Sequence, residues 1–301
     1  MKAVRFSRFG ASDVLEIVDL PDPHPGAGEI RIRVRAAGVN ASDWKKRQGL
    51  LDQELPQTLG YEAAGIVDEL GDGVSGVAVG DEVFGASPYG AAQAELAVLS
   101  DWASVPPGLG FIAAAAIPAA AETAARALDQ LGARRGETIL INGASGSVGS
   151  AAVQLAIARG ARVIGTGSPA RHEYLRALGA VPVAYGEGMR DRVRAVAHGG
   201  IDRALDVAGS GVLPELIELT GAAGRVLTVA DFPGAQRYGV RFSRGDEGRA
   251  TYALAEVAEM AAAGRFRVVV GETFALSDIA EAHRVGEAGS VRGKLVLTVD
   301  G

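Results

Sequence analysis

Residues 138–149 read Thr138-Ile-Leu-Ile-Asn-Gly143-Ala-Ser-Gly146-Ser-Val-Gly149, an apolar strand pattern that breaks at glycines directly into an Ala/Val/Leu-rich helix pattern. This order is typical of a dinucleotide-binding fold. Gly143 makes the tight turn, Gly146 admits a pyrophosphate, and Gly149 lets the helix pack closely on the sheet. The helix N-terminus supplies free N–H groups and a positive dipole end. We therefore expect the phosphates to contact six residues: Gly143, Ser145, Gly146, Ser147, Val148 and Gly149.

The next predicted strand, 161–166, indicates which dinucleotide binds. Sites for NAD place Asp or Glu at the end of this strand, where it binds the ribose 2′-hydroxyl. Here the strand ends in Gly165-Thr-Gly-Ser168, and Arg171 follows. A guanidinium suits a 2′-phosphate, so the sequence favours NADPH over NADH. The alternative is that Arg171 is a solvated residue on the first turn of the next helix.

Composition excludes several classes of function. The chain has 301 residues, enough for two domains, and its net charge of −6 comes without a basic block, so no nucleic-acid partner is expected. It has no cysteine, which excludes disulfides, thiolate nucleophiles and zinc–sulfur sites. The four histidines lack metal-ligand spacing. The start of the chain resembles a strand rather than a signal peptide, and the apolar stretches are too short to span a membrane. We therefore expect a cytoplasmic protein with no membrane partner.

Three regions are expected along the chain. Residues 1–112 are glycine-punctuated strands with period-two alternation, and residues 113–245 alternate strands with helices, as in a parallel sheet with helices on both faces. Residues 246–301 add a short return segment, with strands expected at 267–270 and 294–299. The predicted class is α/β, with a doubly wound Rossmann sheet beside a β-rich domain.

Five motifs carry a family resemblance. The chain resembles the zinc-free quinone oxidoreductase (zeta-crystallin-like) branch of the medium-chain dehydrogenase/reductase superfamily through residues 37–49, 60–67, 79–85, 142–149 and 291–296. The resemblance implies a GroES-like catalytic domain, completed by the return segment, and a homodimer. Zinc enzymes of the superfamily have a ligand Cys where Asn40 stands and a ligand His where Tyr61 stands. No metal is therefore expected.

The resemblance implies hydride transfer from NADPH to a quinone or an α,β-unsaturated carbonyl compound. Four residues are catalytic candidates. Asn40 is expected to face the nicotinamide or the substrate carbonyl, unless it caps a turn, and Asp43 to orient its neighbours. Lys45 is expected to donate to substrate or cofactor, unless it only solvates a helix face. Tyr61 is a candidate hydroxyl donor, unless it packs between strands.

Further cofactor contacts are expected at strand ends and in the return segment. Carboxyl ends of parallel strands are where such folds bind ligands. Beside the glycine turn, the fold and the resemblance together imply contacts at Thr123, Thr166, Ser168, Arg171, Tyr185, Val207, Ala208, Val229, Ala230, Arg292 and Lys294. The alternative for Arg292 and Lys294 is a structural role.

Two other functions stay open at this point. An enoyl-thioester reductase, acting on a carrier-bound polyketide or fatty acyl chain, has the same fold and no sequence feature excludes it. A non-catalytic NADPH-binding protein, structural or sensory, would carry the same fingerprint.

Overall fold

The computed structural model describes residues 1–245, 248–289 and 291–299. By their internal contacts these residues form two compact units. The β-rich unit contains residues 1–119 and the described residues from 254 onward, and the dinucleotide unit contains residues 120–253. The sequence predicts domain boundaries at residues 112 and 245. Both boundaries between the units lie a few residues later in the chain. The first falls inside helix Pro118–Leu131, whose alanine-rich pattern marks no boundary.

The β-rich unit is built from antiparallel strand pairs, except that β15 pairs with β16 in parallel. One sheet has the order β2-β1-β4, and a seven-stranded sheet has the order β15-β16-β3-β5-β6-β8 with β7 paired to β3. The last strand pairs with β3, Leu295 opposite Val39, so the return segment completes this sheet. The strands are β1 Lys2–Phe6, β2 Glu16–Asp19, β3 Ile30–Val39, β4 Gln57–Thr58, β5 Glu62–Leu70, β6 Glu82–Ala86, β7 Leu96–Leu99, β8 Asp101–Ser104, β15 Val270–Ala275 and β16 Lys294–Thr298.

The dinucleotide unit is a six-stranded parallel sheet. Its order is β11-β10-β9-β12-β13-β14, the doubly wound order 3-2-1-4-5-6. Apolar side chains such as Leu140, Ile164, Ala204 and Val226 fill its core. The predicted α/β class, a Rossmann sheet beside a β-rich domain, is confirmed. The strands are β9 Thr138–Asn142, β10 Arg162–Gly167, β11 Val181–Ala184, β12 Arg203–Asp206, β13 Val226–Thr228 and β14 Arg241–Phe242.

Ten α-helices are found in the described part of the chain. They are α1 Ala41–Arg47, α2 Gly110–Ala114, α3 Pro118–Leu131, α4 Ser147–Ala158, α5 His172–Ala177, α6 Met189–Val196, α7 Leu213–Thr220, α8 Phe232–Tyr238, α9 Ala253–Ala262 and α10 Ile279–Ala288.

Two strands differ from expectation. The strand expected at 267–270 begins only at Val270, and strand β14 was not expected at all. β15 is an edge strand whose side chains are exposed or half-buried, so it lacks apolar alternation. β14 has two residues, too few to show a period.

One helical stretch tests the expectation about membrane spans. By length and composition alone, the helical residues 110–131 could cross a membrane, although the sequence predicted that every apolar stretch is too short to do so. However, 72% of the window is buried inside the fold. This is the pattern of a core helix.

Candidate functional site

The glycine turn follows β9 in the dinucleotide unit. Gly143 has φ +82°, a left-handed conformation that favours glycine, and its N–H donates to the Thr166 hydroxyl at 3.0 Å. A Cβ at Gly149 would lie 2.2 Å from the Gly143 carbonyl oxygen, so only glycine lets α4 approach the turn this closely. At Gly146 a Cβ would meet nothing nearer than 3.5 Å. The space above Gly146 is therefore open to a ligand.

The N-terminus of α4 opens onto the same turn. Gly146 is the N-cap, so the N–H groups of Ser147, Val148 and Gly149 have no acceptor inside the helix. Ser145 and Ser147 are half-buried beside them. This donor set fits the pyrophosphate of a dinucleotide.

A belt of hydrogen bonds joins four parallel strands at their carboxyl ends. The Thr166 hydroxyl donates to Asn142 Oδ1 at 2.8 Å, and Asn142 Nδ2 donates to Asp206 Oδ1 at 2.9 Å. The Thr228 hydroxyl donates to Asp206 Oδ2 at 2.8 Å. All four side chains are buried. We call these residues the strand-end belt.

The strand-end belt also holds the loops that leave the sheet. Asp206 Oδ1 accepts from the backbone N–H groups of Ala208 and Gly209, at 3.1 and 3.0 Å. The Thr228 oxygen accepts from those of Ala230 and Asp231, both at 3.1 Å. The belt thus fixes the loops that carry four of the expected cofactor contacts: Val207, Ala208, Val229 and Ala230.

The belt changes the interpretation of Thr166. Its side chain is fully buried and its hydroxyl is engaged with Asn142 and Gly143. A direct contact between this side chain and a cofactor is therefore not available. Thr166 instead holds the glycine turn in place.

The residues expected at the 2′-phosphate follow β10. Ser168 is half-buried and its carbonyl accepts from the Arg171 N–H at 2.8 Å. The Arg171 guanidinium lies 5.9 Å from the centroid of the Tyr174 ring. Among the residues that the structure describes, no carboxylate pairs with Arg171. Its fork of donors is thus free to take an anion.

The other expected cofactor contacts are dispersed. Tyr185 follows β11 and is 62% exposed, and Thr123 is half-buried on α3, both in the dinucleotide unit. Arg292 and Lys294 belong to the β-rich unit instead. Arg292 is exposed and Lys294 is buried.

Lys294 belongs to a buried cluster with Asn40 and Glu62. Its ammonium pairs with the Glu62 carboxylate at 2.5 Å and donates to Asn40 Oδ1. Asn40 Nδ2 donates to Glu62 Oε1 at 2.8 Å, and Glu62 Oε2 accepts from the Ala119 N–H at 2.7 Å. The Asn40 oxygen is therefore committed within the protein, whereas its amide keeps a second N–H.

Asp43 organises the same region from α1. Its carboxylate accepts from the backbone N–H of Asn40 at 2.7 Å, from Gln93 Nε2 at 3.2 Å and from the Gly60 N–H at 3.4 Å. Complete burial raises the pKa of Asp43 to about 6, although these hydrogen bonds oppose the shift. Asp43 thus orients its neighbours from inside the protein.

Two lysines on α1 point in different directions. Lys45 is exposed, whereas Lys46 is buried on the face that it shares with Asp43 and donates to the Thr58 carbonyl at 3.1 Å. Lys46 Nζ lies 5.7 Å from the centroid of the Tyr61 ring. Burial raises the pKa of Tyr61 to about 12, so its hydroxyl stays protonated. The lysine whose ammonium lies against the Tyr61 ring is therefore Lys46.

Sequence reasoning missed Glu62, Gln93 and Lys46. For Lys46 a signal exists: if Asp43 faces inward, the residue three positions later shares its face of the helix. Glu62 is a charged residue directly before the apolar stretch 63–67, which also marks it. Gln93 lies in a loop without a period, and nothing in the sequence marks it.

The donor set here does not fit a zinc ion. The two positions that hold ligands in zinc enzymes carry an amide already bound to Glu62 and Lys294, and a phenol with a pKa of about 12. In the described ranges, no group of three or more His, Cys, Asp or Glu side chains is arranged to hold a metal.

Comparison with known families identifies the fold. Residues 26–125 match the alcohol dehydrogenase GroES-like domain, and residues 178–297 match the zinc-binding dehydrogenase domain. Quinone oxidoreductase from Homo sapiens is 32% identical over 99% of this chain and 97% of its own length. The chain belongs to the quinone oxidoreductase branch of the medium-chain dehydrogenase/reductase superfamily. It is thus a medium-chain reductase with an NAD(P)-binding unit.

Two further relatives bear on its chemistry. A mycobacterial protein solved in complex with NADPH is 28% identical, with a TM-score of 0.83 and 99% of both chains covered. The spectinabilin polyketide synthase system protein NorB from Streptomyces orinoci is 35% identical over 98% of this medium-chain reductase. The chain spans only 14% of NorB.

Proposed function

We propose that this medium-chain reductase uses NADPH, without zinc, to reduce quinones or α,β-unsaturated carbonyl compounds. The observation that carries the proposal is the pair of donors at the zinc-ligand positions, Asn40 and Tyr61, in a chain that also has the dinucleotide turn. Without a Lewis acid, hydrogen-bond donors must stabilise the charge that develops on oxygen. An electron-poor acceptor suits such a site.

Each candidate residue has a role in this proposal. NADPH supplies a hydride when it is bound. Tyr61, protonated at neutral pH because its pKa is about 12, donates to the acceptor oxygen. Asn40 offers its remaining amide N–H, and Asp43 holds the Asn40 backbone in place. Ser145, Gly146, Ser147 and Val148 bind the pyrophosphate.

Selectivity for NADPH rests on Ser168 and Arg171. Charge-assisted hydrogen bonds contribute about 1.5–3 kcal/mol, which is roughly 10- to 100-fold in affinity. We expect Arg171→Ala to raise the Michaelis constant for NADPH by about that factor and to leave the value for NADH nearly unchanged. Arg176→Ala, an exposed change on α5, is the matched control. Equal effects of Arg171→Ala on both nucleotides would remove the 2′-phosphate role.

The experiment that tests the function is initial-rate NADPH oxidation by the purified protein. The acceptors are an ortho-quinone, a para-quinone, a linear enone and an enoyl thioester, with NADH as the control nucleotide. Turnover of a quinone or an enone supports the proposal. NADPH binding without turnover of any acceptor supports a non-catalytic protein. Activity that survives chelator treatment supports the zinc-free mechanism, and recovery that depends on added zinc contradicts it.

A second candidate is reduction of an enoyl thioester. The match to NorB, a protein of a polyketide synthase system, favours it. Turnover of the enoyl thioester alone would select this activity.

We further propose that the protein is a cytoplasmic homodimer. Its molecular mass in solution, measured by light scattering, tests the dimer: about 62 kDa is expected for two chains of 30.8 kDa.

A further inference from the structure

Lys46 is a buried cation without a carboxylate partner in the residues described. Its exposed fraction is 8%, and its ammonium has three donors but one acceptor in the described protein, the Thr58 carbonyl. A buried ammonium is costly unless it is paired and hydrogen-bonded. An apolar side chain at this position would serve packing better. The two remaining donors of the ammonium are therefore open to a ligand.

Tyr61 presents a second unused donor at the same place. Its ring lies against the Lys46 ammonium, 5.7 Å from Nζ to the ring centroid. Among the described residues its hydroxyl has no hydrogen-bond partner. An ammonium and a phenol, each with an unused donor, thus lie next to each other.

Gly90 lies close to both donors. A Cβ at Gly90 would lie 3.2 Å from Lys46 Nζ and 3.3 Å from Tyr61 Cε1. Gly90 also has φ +64°, where other residues are strained. Any larger residue there would press on both donors.

We propose that Lys46 donates the proton that completes reduction of the acceptor, and that Tyr61 holds the same acceptor oxygen. The inference rests on the proposed function. It assigns the proton donor to Lys46 rather than to Lys45, which is exposed.

The reduction takes two electrons from the hydride and one proton from Lys46. Hydride addition to the β-carbon of an enone brings two electrons and leaves an enolate oxygen. The O–H bond forms as one N–H bond of the Lys46 ammonium breaks, giving an enol and a neutral amine. Solvent reprotonates the amine, and the enol tautomerises. In a quinone, the anionic oxygen of the hydroquinone takes the proton in the same way.

The charges around Lys46 suit proton transfer. Burial lowers the pKa of Lys46, while Asp52 and Asp43 oppose the shift. Asp43 faces it from α1, Asp52 from the loop after α1, and the Tyr61 phenol from the residue before β5. A lowered pKa makes the ammonium a stronger acid, closer to the pH at which a general acid works best.

The test compares Lys46→Met with Lys45→Met and Lys2→Met in NADPH oxidation. A positioned general acid contributes about 10²- to 10⁴-fold, so Lys46→Met should lower kcat by at least 100-fold. The Michaelis constant for NADPH should not change. In the wild type, kcat should fall at high pH as the Lys46 ammonium loses its proton. This fall should be absent from Lys46→Met, and a packing defect alone would not remove it. Lys2→Met, an exposed change, should match the wild type.

Two results would overturn the inference: kcat of Lys46→Met within threefold of the wild type, or a large loss in Lys45→Met alone. Urea unfolding verifies that each variant is folded. If Lys46→Met does not fold, Lys46→Gln is used in its place. If the wild type reduces no acceptor, the proposed function fails, and binding of 4-nitrophenolate then tests the donor pair. Weaker binding to Lys46→Met than to Lys2→Met supports the pair, and equal binding contradicts it.

Discussion

The two units each bury a carboxylate completely, and they satisfy it differently. In the β-rich unit, Glu62 is paired with the Lys294 cation and accepts from Asn40 and Ala119. In the dinucleotide unit, the described donors to the Asp206 carboxylate are all neutral: two side chains and two backbone N–H groups. In the first arrangement one cation compensates the negative charge, whereas in the second four neutral donors share it. Removing one donor should therefore cost more in the β-rich unit.

The largest effect is expected from Lys294→Met. Removing one partner of a buried ion pair leaves an uncompensated charge, at a cost of about 3–5 kcal/mol. The free energy of unfolding in urea measures the loss. The control is Arg194→Met, which breaks an exposed pair with Glu218 at 2.7 Å and should cost less than about 1 kcal/mol.

A second variant sharpens this result. The double change Glu62→Gln with Lys294→Met removes both charges and should recover much of the lost stability. Additive losses would show that Glu62 and Lys294 do not act as a pair.

Asp43 is a third buried carboxylate, and it allows the comparison to be extended to pH. Its pKa is raised from 3.8 to about 6 by burial, so the folded protein holds a proton that the unfolded chain releases. Its contribution to stability is full below pH 4 and is lost as the pH rises through 6. The loss is about 3 kcal/mol, at about 1.4 kcal/mol for each pKa unit.

Unfolding in urea between pH 4 and 7 measures this dependence. Asp43→Asn should remove the contribution of Asp43 to this pH dependence. The difference in free energy of unfolding between the variant and the wild type should therefore change between pH 4 and 6 and level off above. His283, whose pKa burial lowers to about 3, acts in the opposite direction but is present in both proteins. Asp191→Asn, an exposed change, should leave the profile unaltered. A constant difference between Asp43→Asn and wild type would contradict the pKa assigned to Asp43.

The sequence predicted the dinucleotide unit more completely than the β-rich unit. Glycine spacing and strand–helix alternation are local signals, and they located the turn at Gly143 and the N-terminus of α4 closely. Asp206 and Thr228 join different strands, so only the strand order reveals the belt.

In the β-rich unit the site depends on contacts distant in sequence. Lys294 reaches Asn40 across 254 residues, because the last strand pairs with β3. The sequence assigned Lys294 to the cofactor, since nothing local indicates that its partner is Glu62. Similarly, the choice between Lys45 and Lys46 depends on which face of α1 is buried.

The smallest effect is expected from Thr228→Val in the strand-end belt. The change removes one donor from Asp206 and the acceptor of the Ala230 and Asp231 N–H groups. Asp206 keeps three donors, so the cost should be about 1–3 kcal/mol, that of buried groups left unsatisfied. Because the belt holds the loop at Val229 and Ala230, binding of NADPH, followed by its fluorescence, should weaken as well. Thr251→Val, an exposed change, is the matched control. A loss as large as that of Lys294→Met would mean that Asp206 depends on a single donor as strongly as Glu62 depends on its cation, and the contrast between the two units would fail.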